Sequence, residues 1–155
     1  MTLTLRRAIK EPVDNFSKWE VQLLSLEDEL ISTLSNYISI VMEGILDPDI
    51  AGKKPDRFLE NLQSGKLGDF SKRYIIIALD CNKVIGLLIG LHEDCDKLHI
   101  FSMGVIPEYR NSGVASTLLT KCMKDMFEIG NKEILLDVHS DNIPAHNLYV
   151  KFGFQ

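Results

Sequence analysis

The sequence predicts an α/β domain of the α+β type: one mixed sheet with helices on both faces. Three observations point there. Residues 74–106 hold three apolar, β-prone runs separated by two short polar turns, which reads as an antiparallel meander. Helix, strand and helix patterns then alternate, as a β-α-β-α unit requires. The 155 residues carry no repeat, low-complexity stretch or Gly/Ser/Pro-rich linker, so one domain is expected over 1–155.

Thr2 to Ala8 alternates in part, with Leu3 and Leu5 on one face, and reads as a first strand that Glu11-Pro12 breaks. Ser25 followed by Asp28 resembles a capping box. Leu26, Leu30, Leu34, Tyr37, Ile38, Val41 and Ile45 then recur at helical spacing up to Gly44–Pro48. A second helix is expected from about Pro55 to Gln63, ended by Gly65 and Gly68. The meander follows as Tyr74–Leu79, Val84–Leu91 and Leu98–Ile106. Next, Val114, Leu118, Cys122 and Met126 share a helix face, and Gly130 suits the C-terminal cap. Ile134 to Val138 is the fifth strand. Asp141 or Asn142 caps a last helix with Pro144 in its first turn and Ala145, Leu148, Tyr149 and Phe152 on its buried side.

Composition narrows the function classes. The chain is 45% hydrophobic and 25% charged, with net charge −5 and no basic stripe, so a nucleic-acid partner is not expected. The acidic balance favours cationic or amine substrates. Cys81, Cys95 and Cys122 show no metal-ligand or disulfide spacing, and no metal is expected. Glu93, Asp94 and Asp96 read as a charged turn rather than a cation site. No segment approaches the ~20 apolar residues of a membrane helix, and the first residues lack a signal-peptide core. A cytoplasmic protein without membrane partners is the expectation.

The most informative stretch is Val105-Ile106-Pro107-Glu108-Tyr109-Arg110-Asn111-Ser112-Gly113-Val114-Ala115. A strand passes into a helix through small residues, so several unpaired backbone N–H groups converge on one spot. The helix dipole adds positive charge there, which suits an anion such as a pyrophosphate. Gly113 lets that anion approach without a Cβ in the way, and Arg110 can add a charge-assisted bond. A plain strand-to-helix turn with a surface arginine is the competing reading. The pattern is neither GxxxxGK[ST] nor GxGxxG.

With those residues in place, the chain resembles the GNAT N-acetyltransferases. Arg110-Asn111-Ser112-Gly113-Val114-Ala115 matches the family signature Q/R-x-x-G-x-G/A. Asn142-x-x-Ala145-x-x-Leu148-Tyr149-x-x-Phe152-Gly153-Phe154 matches its second motif, and the resemblance covers Tyr74 to Phe154. It implies a GNAT-like fold whose fourth and fifth strands run parallel and splay apart. It implies acetyl-CoA as cosubstrate, with the pantetheine arm bonded near Met103 and Val105. The pyrophosphate would be held by Arg110, Asn111, Ser112, Gly113, Val114, Ala115 and Ser116, and Asn142 would contact the cofactor. The implied reaction is acetyl transfer to a primary amine by direct attack.

That chemistry needs an acid for the leaving thiolate and a base for the amine. Tyr149 matches the family's acid. His99 stands where some relatives carry a glutamate base. Alternation along its strand puts His99, Phe101 and Met103 on one face, towards the cleft. Glu108 and His139 are weaker candidates, and a water chain is another. Trp19 and Phe16 read as core packing sooner than as an acceptor pocket. Members of the family continue beyond the Gly153-Phe154 position with further strands. The resemblance therefore implies an uncovered edge on the fifth strand, for which a homodimer partner is one remedy. It also leaves open an acyl-CoA-binding sensor or interaction domain without catalysis. The acceptor itself is not legible.

Overall fold

The computed structural model describes residues 2–10, 19–24, 30–41, 55–94 and 96–155. The break at Glu11-Pro12, the helix start at Ser25–Asp28, its end at Gly44–Pro48, Phe16 and Cys95 lie outside the described residues.

The elements run β1 (Thr2–Ala8), β2 (Glu20–Leu23), α1 (Leu30–Val41), α2 (Pro55–Gln63), β3 (Arg73–Asp80), β4 (Lys83–Glu93), β5 (Lys97–Val105), α3 (Val114–Glu128), β6 (Glu133–His139) and α4 (Ile143–Lys151). Single 3-10 turns occupy Phe70–Lys72 and Pro107–Tyr109. The six strands of the described residues join one sheet in the order β1-β6-β5-β4-β3-β2. The meander β3-β4-β5 forms as its turn residues dictate: Cys81, Asn82 and Asp94 take positive φ at the two reversals.

Helices cover both faces. An added Cβ on Gly86 would meet Val114 Cγ1 at 2.8 Å and Leu118 Cδ1 at 3.1 Å, so α3 lies tightly over that face of β4. Tyr74, paired with Gly90 on the same face, donates its hydroxyl to Asp125 of α3 at 2.6 Å. Gly68, just after α2, abuts Leu91 on the other face, where α1 also packs. The residues between are almost water-free; Ile76, Leu87, Leu88 and Ile89 are fully buried. At ~25 cal/mol per Å² of apolar surface, this core is the main stabilising contribution.

Three expectations change. β2 was not foreseen. It is four residues long, mostly exposed, and pairs antiparallel with Leu79 to Ile76 of β3. Nor is the edge of β6 uncovered. β1 lies antiparallel along it from Thr2↔His139 to Ala8↔Glu133. Arg6 and Gln155 then exchange backbone hydrogen bonds in both directions, at 2.9 and 2.8 Å, so the residue after Phe154 joins the outer side of β1. The motive for a dimer at that edge disappears, because the chain closes it with its own first strand.

The third change is the alternation along β5. Ile89 pairs with Ser102 but Gly90 with Ile100, so Phe101 is an extra residue, a β-bulge. His99 faces the side of Leu91, whereas Met103 pairs with Leu88 and faces α3. His99 and Met103 therefore point to opposite faces. The same bulge bends β5. Parallel pairing with β6 runs from Lys97↔Glu133 to Ile100↔Leu136 and stops there, although both strands continue. The predicted splay between the fourth and fifth predicted strands, here β5 and β6, is thus present.

Candidate active site

The opening between the separated ends of β5 and β6 is a cavity of about 560 Å³. That lies within the range of small-molecule sites. Met103, Gly104 and Val105 line one arm, Asp137 and Val138 the other, and the loop from Tyr109 to Ser116 closes one end. α4 supplies Asn142, Ala145, Leu148 and Tyr149 to the wall.

The loop turns sharply into the N-terminus of α3. Asn111 and Gly113 take φ of 63 and 87, left-handed values that turn the chain sharply. Gly113 caps α3 in that conformation at little cost, which a residue with a Cβ cannot do. The first bond of the helix runs from the Thr117 N–H to the Gly113 carbonyl at 3.0 Å. The N–H groups of Val114, Ala115 and Ser116 have no partner within the helix and sit at its positive end. Arg110 Nε donates to the Val105 carbonyl at 3.0 Å, tying the loop to the end of β5.

A second layer braces this loop. Trp19 Nε1 donates to the Ser112 carbonyl at 3.2 Å, and its ring meets Tyr109 edge-on at 5.6 Å. The Ser112 hydroxyl donates to the Tyr109 carbonyl. Tyr109 donates to Asp80 at 2.5 Å, a bond that raises the phenol above its ordinary pKa and keeps it protonated. Trp19, 93 residues away in sequence, is therefore a brace of the loop, a role no local pattern announces.

Of the residues expected at the site, Met103, Val105, Arg110, Asn111, Gly113, Val114, Ala115, Ser116, Asn142 and Tyr149 all line the cavity. Ser112 turns inward as described. Asn142 also caps α4, accepting from the Ala145 N–H at 3.4 Å. Tyr149 is 7% exposed and packs edge-on against Phe154 at 5.9 Å between centroids.

His99 does not line the cavity. Its Nδ1 lies 2.8 Å from Glu93 Oε1 and its Nε2 3.1 Å from Asp137 Oδ2, so both ring nitrogens are engaged by carboxylates. Its ring stacks on Phe101 at 4.2 Å. The group of this cluster that reaches the cavity is Asp137, which the sequence reading missed. A carboxylate set between Leu136 and Val138 inside an apolar strand was the available signal, since such a charge is costly there unless partnered. Glu108 and His139 are not among the lining residues either; His139 Nδ1 accepts from the Asp141 N–H at 3.1 Å. Among the described residues, no group of His, Cys, Asp and Glu is assembled for a metal ion. No described helix is long and apolar enough to cross a membrane.

A family model for the acetyltransferase (GNAT) family matches residues 41–154, well over half of the chain and the whole of this site. The chain belongs to that family. An N-alpha-acetyltransferase of Sulfurisphaera tokodaii is 43% identical over 60 residues, 38% of this chain and 36% of that protein. N-alpha-acetyltransferase MAK3 of Arabidopsis thaliana is 31% identical over 96 residues, 55% of this chain and 50% of its own length. The matches thus span about a third to a half of these curated relatives. Among solved structures, the PaiA N-acetyltransferase of Thermoplasma acidophilum in complex with coenzyme A superposes with a TM-score of 0.67 at 22% identity, over 88% of this chain and 90% of that one. A GCN5-related N-acetyltransferase of Sphaerobacter thermophilus gives 0.71 at 18% identity, over 99% of this chain and 47% of the other. These likenesses place the GNAT fold on the chain. The splay of β5 from β6 and the loop Arg110–Ala115 are its features here.

Proposed function

We propose that this protein is an N-acetyltransferase that moves the acetyl group of acetyl-CoA to the α-amine of a polypeptide N-terminus. The observation that carries the reading is one cavity lined both by the N-terminus of α3, with its loop Arg110–Ala115, and by Tyr149. Acetyl-CoA suits it chemically. Its pyrophosphate matches the Val114–Ser116 N–H groups and Arg110, with Gly113 leaving room. Its pantetheine arm matches the backbone of Met103 and Val105, which β6 leaves unpaired. In this reading Asn142 holds the arm from α4. Acetyl groups are favoured by the family match alone.

The α-amine is chosen because the relatives from Sulfurisphaera tokodaii and Arabidopsis thaliana are named N-alpha-acetyltransferases. An α-amine has an ordinary pKa of about 7.7–8.0, so a useful fraction is neutral near pH 7. Its lone pair attacks the thioester carbonyl, the C–S bond breaks, and Tyr149 gives its proton to the departing sulfur. The base role proposed for His99 belongs, in this geometry, to the cluster His99 forms with Asp137. A binding-only domain of the same fold is the alternative, and amine-dependent CoA release decides between the two.

The test is titration with acetyl-CoA and CoA, followed by CoA release with short peptides that have either a free α-amine or only a lysine amine. Release with α-amine peptides supports the full reading. Release only with the lysine peptide overturns the acceptor class. Binding without release overturns the catalytic reading, and absence of binding overturns the loop assignment.

A further inference from the structure

We propose that Asp137, His99 and Glu93 form a proton relay that leads from the cavity to solvent. The inference rests on the acetyltransferase reading above and supplies the proton path that reading requires. An ammonium has three N–H bonds and the product amide has one. Two protons therefore leave the nitrogen for each turnover. One replaces the proton that Tyr149 gives to sulfur. The other must reach water.

The three groups are ordered for that task. Asp137 lines the cavity. Its Oδ1 accepts from Thr4 Oγ1 at 2.8 Å, and its Oδ2 lies 3.1 Å from His99 Nε2. The other ring nitrogen of His99 lies 2.8 Å from Glu93 Oε1. Side-chain exposure is 23% for Asp137, 16% for His99 and 44% for Glu93. The chain of groups thus starts at the cavity wall, passes a mostly covered imidazole and ends in water. The Phe101 ring, stacked on His99 within 17° of parallel, fixes the plane of the imidazole so that both contacts are held together. Thr4 fixes the Asp137 carboxylate in the same way.

Position agrees with the task. His99, Glu93 and Asp137 lie on the sheet face opposite α3, whereas the loop Arg110–Ala115 and Met103 belong to the α3 face. An amine that approaches from the face of Asp137 meets a thioester that enters from the other. The amine proton passes to Asp137. From there it passes to Nε2 of His99, while the proton on Nδ1 moves to Glu93 and on to water. Once the products have left, water in the open cavity takes the Nε2 proton through Asp137, and water at the Glu93 end returns one to Nδ1, which restores the starting tautomer. No other reactant is needed.

A purely static role is the alternative, since the cluster also ties β1, β4, β5 and β6 together. The experiment compares wild type with His99→Gln, Asp137→Asn and Glu93→Gln, using acetyl-CoA and a short peptide with a free α-amine. It measures kcat/KM against pH and, separately, CoA affinity. For His99→Gln and Asp137→Asn the expected loss is ~100-fold below the α-amine pKa, shrinking at higher pH where the amine is already neutral, with CoA affinity unchanged. Glu93→Gln gives a smaller loss of the same pH form, because water reaches His99 from that end. It also serves as the test if the buried variants fail to fold. A loss equal at every pH overturns the relay in favour of a static cluster, as does wild-type turnover in His99→Gln. Wild-type protein that binds CoA but acetylates no peptide overturns the acetyltransferase reading itself, and the relay with it.

Discussion

Gly113 and Tyr149 line the same cavity, and single substitutions separate their proposed roles. Gly113→Asp puts a carboxylate at the proposed pyrophosphate position and a Cβ on a φ of 87. CoA affinity measured by calorimetry is expected to fall at least ~10-fold, with the fold retained in circular dichroism. Tyr149→Phe keeps the ring against Phe154 and removes only the hydroxyl. Turnover is expected to fall ~10- to 100-fold while CoA affinity holds. A shared fall in both would make Tyr149 a packing residue. The thiols offer a third test at this scale. Burial beside Asp125 pushes Cys122 well above the ordinary thiol pKa, whereas Cys81 is exposed on a turn. Alkylation followed by peptide mapping should label Cys81 in the native protein and Cys122 only after unfolding. Of these residues, Gly113 and Tyr149 were legible in the sequence because each belongs to a short local pattern. Asp137 was not, because its partners, Thr4 and His99, come from two other strands.

At the scale of elements, the placement of α3 governs the loop. Gly86 lets the first turn of α3 approach β4. Gly86→Val forces Val114 and Leu118 outward. The expected cost is ~1–3 kcal/mol in denaturant unfolding, with weaker CoA binding because the helix N-terminus moves. The periodicity of α3 and the Gly113 cap could be read from the sequence, since a helix face repeats within its own residues. The bulge at Phe101 could not. Nothing in Lys97–Val105 says which residue the partner strand will skip, and that one skip reverses the face of His99 relative to Met103. The prediction that both look into the cleft failed for this reason. β2 was missed on similar grounds: four mostly exposed residues have too little pattern to be read without β3 beside them.

At the scale of the whole molecule, stability depends on pH through His92. Burial, aided by Lys72, lowers its pKa below the usual value in the folded state. The unfolded chain then takes up a proton first as pH falls. This contribution to stability is therefore intact above the unfolded pKa of about 6.5 and declines as pH drops from there to the lowered folded value. Denaturant midpoints should fall less between neutral and mildly acidic pH for His92→Gln than for wild type. An equal fall would assign the acid sensitivity to other groups.

The sequence by itself determined the composition of the sheet's central strands, the two signature helices and the anion loop. Each of these is encoded in contiguous residues, through alternation, helical spacing or a glycine where only a glycine fits. Tertiary structure alone decided which strand lies beside β6, which face His99 occupies and which carboxylate enters the cavity. The strand beside β6 and the hold on Asp137 depend on segments more than a hundred residues apart, such as Thr4 with Asp137, and the face of His99 on the register between β4 and β5. Backbone hydrogen bonding along an open edge is nearly independent of side chain, so no local pattern could say that Thr2–Ala8 would be the strand to fill it.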